Sequence, residues 1–69
     1  MTEKRLAWDT VMRDFDGRTI EGHYAVDRGT VIVRYGGLEK KAQVGGSPPV
    51  RIAKMLLREL ANEADKDQR

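Results

Sequence analysis

The sequence predicts an α+β domain: an antiparallel β-meander of three to four strands, covered on one face by a C-terminal amphipathic helix. Three observations predict it. Tight-turn residues recur at near-regular spacing, as Asp16-Gly17, Asp27-Arg28-Gly29 and Gly36-Gly37. The runs between them, Thr19 to Val26, Thr30 to Tyr35 and Leu38 to Val44, are rich in β-branched and aromatic residues. After Gly45-Gly46-Ser47-Pro48-Pro49 the apolar spacing changes to that of a helix.

The first fifteen residues admit two readings. Trp8, Val11, Met12 and Phe15 have helical spacing, yet Asp16-Gly17 directly after Phe15 asks for a hairpin. The hairpin reading is preferred and makes Thr10 to Phe15 a strand. Two-residue turns force the strands to be antiparallel, and the spacing leaves no room for crossover helices. Ser47 reads as a helix N-cap and Pro48 as the first helical residue. The apolar stripe then falls at Val50, Ala53, Leu57, Leu60 and Ala64, widened by Ile52 and Leu56. The predicted helix runs from about Pro48 to about Ala64. Residues 65–69 are wholly polar and read as a frayed tail, so the ordered core is expected over about 8–64 of a single domain spanning 1–69.

The turns fix a register. Asp16-Gly17 pairs Phe15 with Arg18 and Val11 with Gly22. If Arg28-Gly29 is the next turn, Asp27 pairs with Thr30 and Tyr24 with Val33. Gly36-Gly37 then pairs Tyr35 with Leu38. One face then holds Val11, Phe15, Ile20, Tyr24, Val26, Val31, Val33, Tyr35, Leu38, Ala42 and Val44, the face for the helix. Arg13 and Lys40 intrude on it from the two edge strands, where an inward charge discourages edge-to-edge aggregation. Gly22 beneath the helix allows a close approach or marks a bulge. The other face is mostly polar. It carries a row of Trp8, Ala25, Ile32 and Lys41 beside a row of Thr10, His23, Arg34 and Glu39.

Composition narrows the function classes. The chain of 69 residues has no cysteine, which excludes disulfides and thiolate metal sites. Thirteen basic against 11 acidic residues leave a net charge of +2, a small excess for a nucleic-acid binder. No apolar run approaches the roughly 20 residues of a membrane span. The charged start, Met1 to Arg5, argues against a secretory signal. The expected location is the cytoplasm, with no membrane partner.

For catalysis the inventory is thin. The one serine, Ser47, is explained by capping, and the one histidine, His23, lies on the opposite face. Asp14 and Asp16 flank a turn and read as solvated. His23 has only Glu21 and Glu39 near it, with Arg34 opposite, which disfavours a metal. The Gly45-Gly46-Ser47 loop before the helix lacks the lysine of a phosphate-binding loop. No enzyme, cofactor or metal is expected.

Two binding surfaces remain. Trp8, Met12 and Ile32, with His23 and Arg34 at the rim, form a candidate protein interface on the uncovered face, open to a partner or to a second copy. The competing reading has Trp8 packing within its own chain. The alternative surface is a basic ridge of Arg51, Lys54 and Arg58 on the helix flank, joined by Arg34 and Lys41, for weak nucleic-acid binding.

The segments Gly22-His23-Tyr24-Ala25-Val26, Val31 to Gly36, Gln43-Val44-Gly45-Gly46 and Ala53 to Leu60 resemble those of short uncharacterised bacterial proteins with a few strands followed by one helix. The resemblance covers about the last two-thirds of the chain. It implies a fold and carries no functional residue.

Overall fold

A computed structural model describes residues 6–67, with side chains described through Lys66. Four strands, β1 (Asp9–Phe15), β2 (Arg18–Asp27), β3 (Thr30–Tyr35) and β4 (Leu38–Gln43), are followed by one helix, α1 (Pro49–Asp67). The strands form one antiparallel sheet in the order β1-β2-β3-β4. The fold is therefore the α+β meander expected, with the first segment a strand.

The turns set this arrangement. Each pair of central residues, Asp16-Gly17, Arg28-Gly29 and Gly36-Gly37, has positive φ, the backbone that two-residue hairpins require. The resulting pairs include Phe15 with Arg18, Val11 with Gly22, Tyr24 with Val33 and Tyr35 with Leu38, the register read from the turns. The β1–β2 ladder passes through Gly22 without an extra residue, so Gly22 marks a close approach and not a bulge.

A fourth pair with positive φ, Gly45-Gly46, turns the chain from β4 into the helix, closed by the Ser47 N–H donating to the Val44 carbonyl at 3.1 Å. Helix bounds differ from expectation at both ends. The Pro48 carbonyl accepts from the Ile52 N–H, so Pro48 is the cap and Pro49 the first helical residue. Ser47 is spent on the turn. Proline suits the first helical position, where its missing N–H has no intrahelical partner to lose. At the other end α1 continues to Asp67, and Arg18 pairs with Asp65 of its last turn at 3.1 Å. Only positions 68 and 69 of the expected frayed tail, and the charged start over 1–5, lie outside the described residues.

The core lies between sheet and helix. Val11, Ile20, Val31 and Val33 from the sheet meet Ala53, Leu56, Leu57, Leu60 and Ala61 from α1. Each fully buried aliphatic side chain contributes about 1.5–3 kcal/mol. Phe15, Tyr24, Tyr35, Leu38, Ala42, Val44 and Ile52 close the margins. Two expected core residues lie outside. Val26 is 42% exposed, at the hairpin end of β2. Val50 is 44% exposed, because the first turn of α1 stands at the β1 margin and not over the sheet.

Candidate functional site

The open face carries its own small apolar layer. Ala25 and Ile32, paired across β2 and β3, are 1% and 8% exposed although α1 lies on the other side of the sheet. Trp8 stands one residue before the β1 ladder, in the row of Ala25. Its ring lies 4.5 Å from the guanidinium carbon of Arg34 on β3. Because β1 and β3 are separated by a whole strand, a ring that reaches Arg34 must cross β2. Trp8 is accordingly half-buried. The expectation that Ile32 lies uncovered is corrected: it is buried in this layer. Trp8 is held within its own chain at the same place.

The rim of that face is internally paired. Arg34 donates to Glu39 at 2.9 Å, and Lys41 lies 3.8 Å from the same carboxylate. The Arg34 hydrogen bond holds the Glu39 carboxyl below its usual range, with Lys41 adding to the effect. His23 is exposed and faces Arg34 across the ladder. Among the described residues, no cluster of three or more histidine, cysteine or acidic side chains could hold a metal ion.

The β1 margin differs. A groove of about 940 Å³ runs between β1 and the first half of α1. Its apolar walls are Met12, Val50 and Met55, which are 53%, 44% and 48% exposed. Its charged rim is Arg13, Arg51 and Lys54 against Asp14. Of the large apolar side chains exposed among the described residues, only Val26 lies elsewhere.

The cations divide in the same way. Arg18, Arg34, Lys40 and Lys41 each meet a carboxylate. Lys40, the inward charge of the β4 edge, lies 2.8 Å from Glu63 and 3.1 Å from Glu59. Hydrogen bonds to these two, Glu63 first, raise the Lys40 pKa above its usual value. Arg13, the inward charge of the β1 edge, meets carbonyls instead. It donates to the Lys54 carbonyl oxygen at 3.0 Å and to that of Asp14 at 3.4 Å. No carboxylate among the described residues pairs with Arg13, Arg51, Lys54 or Arg58.

The structure thus splits both expected sites. Met12, on the open face of the edge strand β1, borders the groove together with Arg51 and Lys54. Arg34 and Lys41 lie on the open face, apart from the helix cations. Arg58 lines the adjoining hollow below Arg13 and Phe15. Met55 and the role of Arg13 were missed by sequence reasoning. Met55 had a signal: it lies opposite the Ala53, Leu57, Leu60 stripe, where a long apolar side chain has no core to fill.

Among the described residues no helix is long and apolar enough to cross a membrane. No protein-family model, curated protein or solved structure matches the chain.

Proposed function

We propose that this chain is a non-enzymatic protein-binding module whose contact surface is the groove between β1 and the first half of α1. One observation carries the reading. Met12, Val50 and Met55, three long or branched apolar side chains left in water, line a single groove. Scattered exposed apolar residues need no explanation, but a grouped set rimmed by charge is characteristic of a docking surface. The rim selects the partner. Arg13, Arg51 and Lys54 outnumber Asp14 and meet no carboxylate among the described residues, which suits an acidic partner. A second copy brought two-fold across this margin would set Arg51 and Lys54 against their own counterparts, which disfavours self-association here.

A second reading, weak nucleic-acid binding along Arg51, Lys54 and Arg58, is favoured by the lack of carboxylate partners for these three among the described residues. The groove has no aromatic wall on which bases could stack, so protein is preferred.

Selection of a displayed random-peptide library on the wild-type protein tests the proposal. Enriched peptides are expected to lose about tenfold or more in affinity for Met55→Glu, a substitution at an exposed helix position that leaves the core intact. Binders indifferent to Met55→Glu and Met12→Thr but lost on His23→Ala would move the contact to the open face. Enrichment of no peptide, with salt-sensitive binding of single-stranded RNA, would favour the second reading.

A further inference from the structure

We infer that the partner segment is an extended acidic strand that pairs with the free edge of β1, and that Arg13 selects it. This inference rests on the groove reading above and specifies its occupant.

The backbone argument comes from the hairpin. The two residues flanking a two-residue turn exchange hydrogen bonds, so Phe15 and Arg18 form a bonded pair. Bonded pairs then alternate, through Arg13 with Ile20 and Val11 with Gly22. The residues between, Thr10, Met12 and Asp14, direct their N–H and C=O groups away from β2. β1 is an end strand of the sheet, so among the described residues no strand pairs with these groups. The Asp14 carbonyl already takes a long bond from Arg13, which leaves Thr10 and Met12 as the principal docking points.

The selectivity argument compares the two edges. Both place a cation on the helix-covered side, Arg13 on β1 and Lys40 on β4, and such a charge blocks pairing by an ordinary strand. An apolar strand laid beside it would strip water from the charge and return nothing. At β4 the charge is matched within the chain by Glu59 and Glu63. At β1, among the described residues, it meets carbonyls and no carboxylate. A strand bearing carboxylates on its helix-facing side would supply the missing counter-charge to Arg13, with Arg51 and Lys54 beside it. Its alternate side chains would lie next to Met12 on the open face. The β1 edge is therefore closed to apolar and basic strands and open to acidic ones.

The test uses capped synthetic peptides of seven residues, the length of β1. One alternates valine with glutamate, one valine with lysine and one valine with serine. An oligothymidylate of similar length is the nucleic-acid arm. Each is titrated into the isotope-labelled wild-type protein, followed by amide resonances and hydrogen exchange. The glutamate peptide is expected to bind about tenfold or more tightly than the other two and to slow exchange at the Thr10 and Met12 amides. Arg13→Gln, which keeps a polar side chain on the edge, is expected to lower that affinity about tenfold while the serine peptide is unaffected. Equal binding of the three peptides, or binding without protection of Thr10 and Met12, overturns the inference. So does tighter binding of the oligothymidylate at the same residues. If library-selected peptides occupy the groove yet are neither acidic nor strand-forming, this inference fails while the groove reading survives.

Discussion

Leu57 of α1 fills the space above Gly22. A Cβ placed on Gly22 would stand 2.8 Å from Leu57 Cδ1 and 2.9 Å from the Arg34 carbonyl oxygen, both closer than real Cβ atoms come. The glycine is therefore what lets the helix settle on β2. Elsewhere Gly→Ala stabilises a chain by about 0.4–1 kcal/mol by restricting the unfolded state. Here the sign reverses: Gly22→Ala is expected to destabilise by about 1–3 kcal/mol, the cost of overpacking. Urea denaturation of the two proteins checks it, and an unchanged or raised midpoint would refute the close approach.

The stacked pair Trp8 and Arg34 gives a second expectation. A cation over an indole face contributes about 0.5–1 kcal/mol at an exposed site. Arg34→Ala is expected to lower stability by about that amount and to shift Trp8 emission to the red as the ring gains water. A double-mutant cycle with Trp8→Ala isolates the pair from the Arg34–Glu39 ion pair. A coupling near zero would mean that Trp8 is held by Ala25 and Ile32 alone.

How far these relations could be read in advance depends on their physical origin. Register was legible because each hairpin turn needs positive φ at two adjacent residues: Asp16-Gly17 and Gly36-Gly37 signal it at both positions, and Gly29 at one. The helix was legible by its period, but its start was not. Ser47 and Pro48 both suit a cap, and the Gly45-Gly46 turn decides by taking the Ser47 N–H. Burial of Ile32 was not legible. Strand alternation places Ile32 on the open face and does not say what covers it there. Likewise the register placed Arg13 on the helix side of β1. That it meets the Lys54 carbonyl follows from the tertiary placement of α1.

Stability is expected to fall at both pH extremes through two exposed pairs. The Glu39 carboxyl is held low by Arg34, so its contribution is present above the usual carboxylate pKa and is lost as pH falls through its lowered value. Lys40 is raised by Glu63 and Glu59, so its contribution is complete below its usual 10.5 and is lost as pH rises through the raised value. Denaturation midpoints measured across pH check both. Glu39→Gln should flatten the acid limb and Lys40→Met the alkaline limb.

Arg28 holds φ of 52° at the first central position of the β2–β3 turn, where a side chain other than asparagine, aspartate or glycine is strained. Arg28→Asn produces the Asn-Gly pair that this hairpin favours. It is expected to stabilise the protein by about 1 kcal/mol or less, read as a raised melting temperature. A lowered one would show that the Arg28 side chain has a role that its backbone strain offsets.

The last expectation concerns the β1 edge without its charge. Arg13 is one of the devices that keep an open sheet edge from pairing indiscriminately. Arg13→Val makes the helix side of β1 apolar from Val11 to Phe15. The substitution removes the hydrogen bond to the Lys54 carbonyl, yet valine suits a strand, so the fold is expected to persist. What should change is solution behaviour. The wild type is expected to sediment as a species independent of concentration, whereas the variant associates as concentration rises, edge to edge through Thr10 and Met12. The repulsion of Arg51 and Lys54 across such a contact should make this association stronger at high salt, as screening shortens the reach of the charges. Association that weakens with salt, or a variant that stays monomeric at all concentrations, would show that Arg13 does not guard the edge.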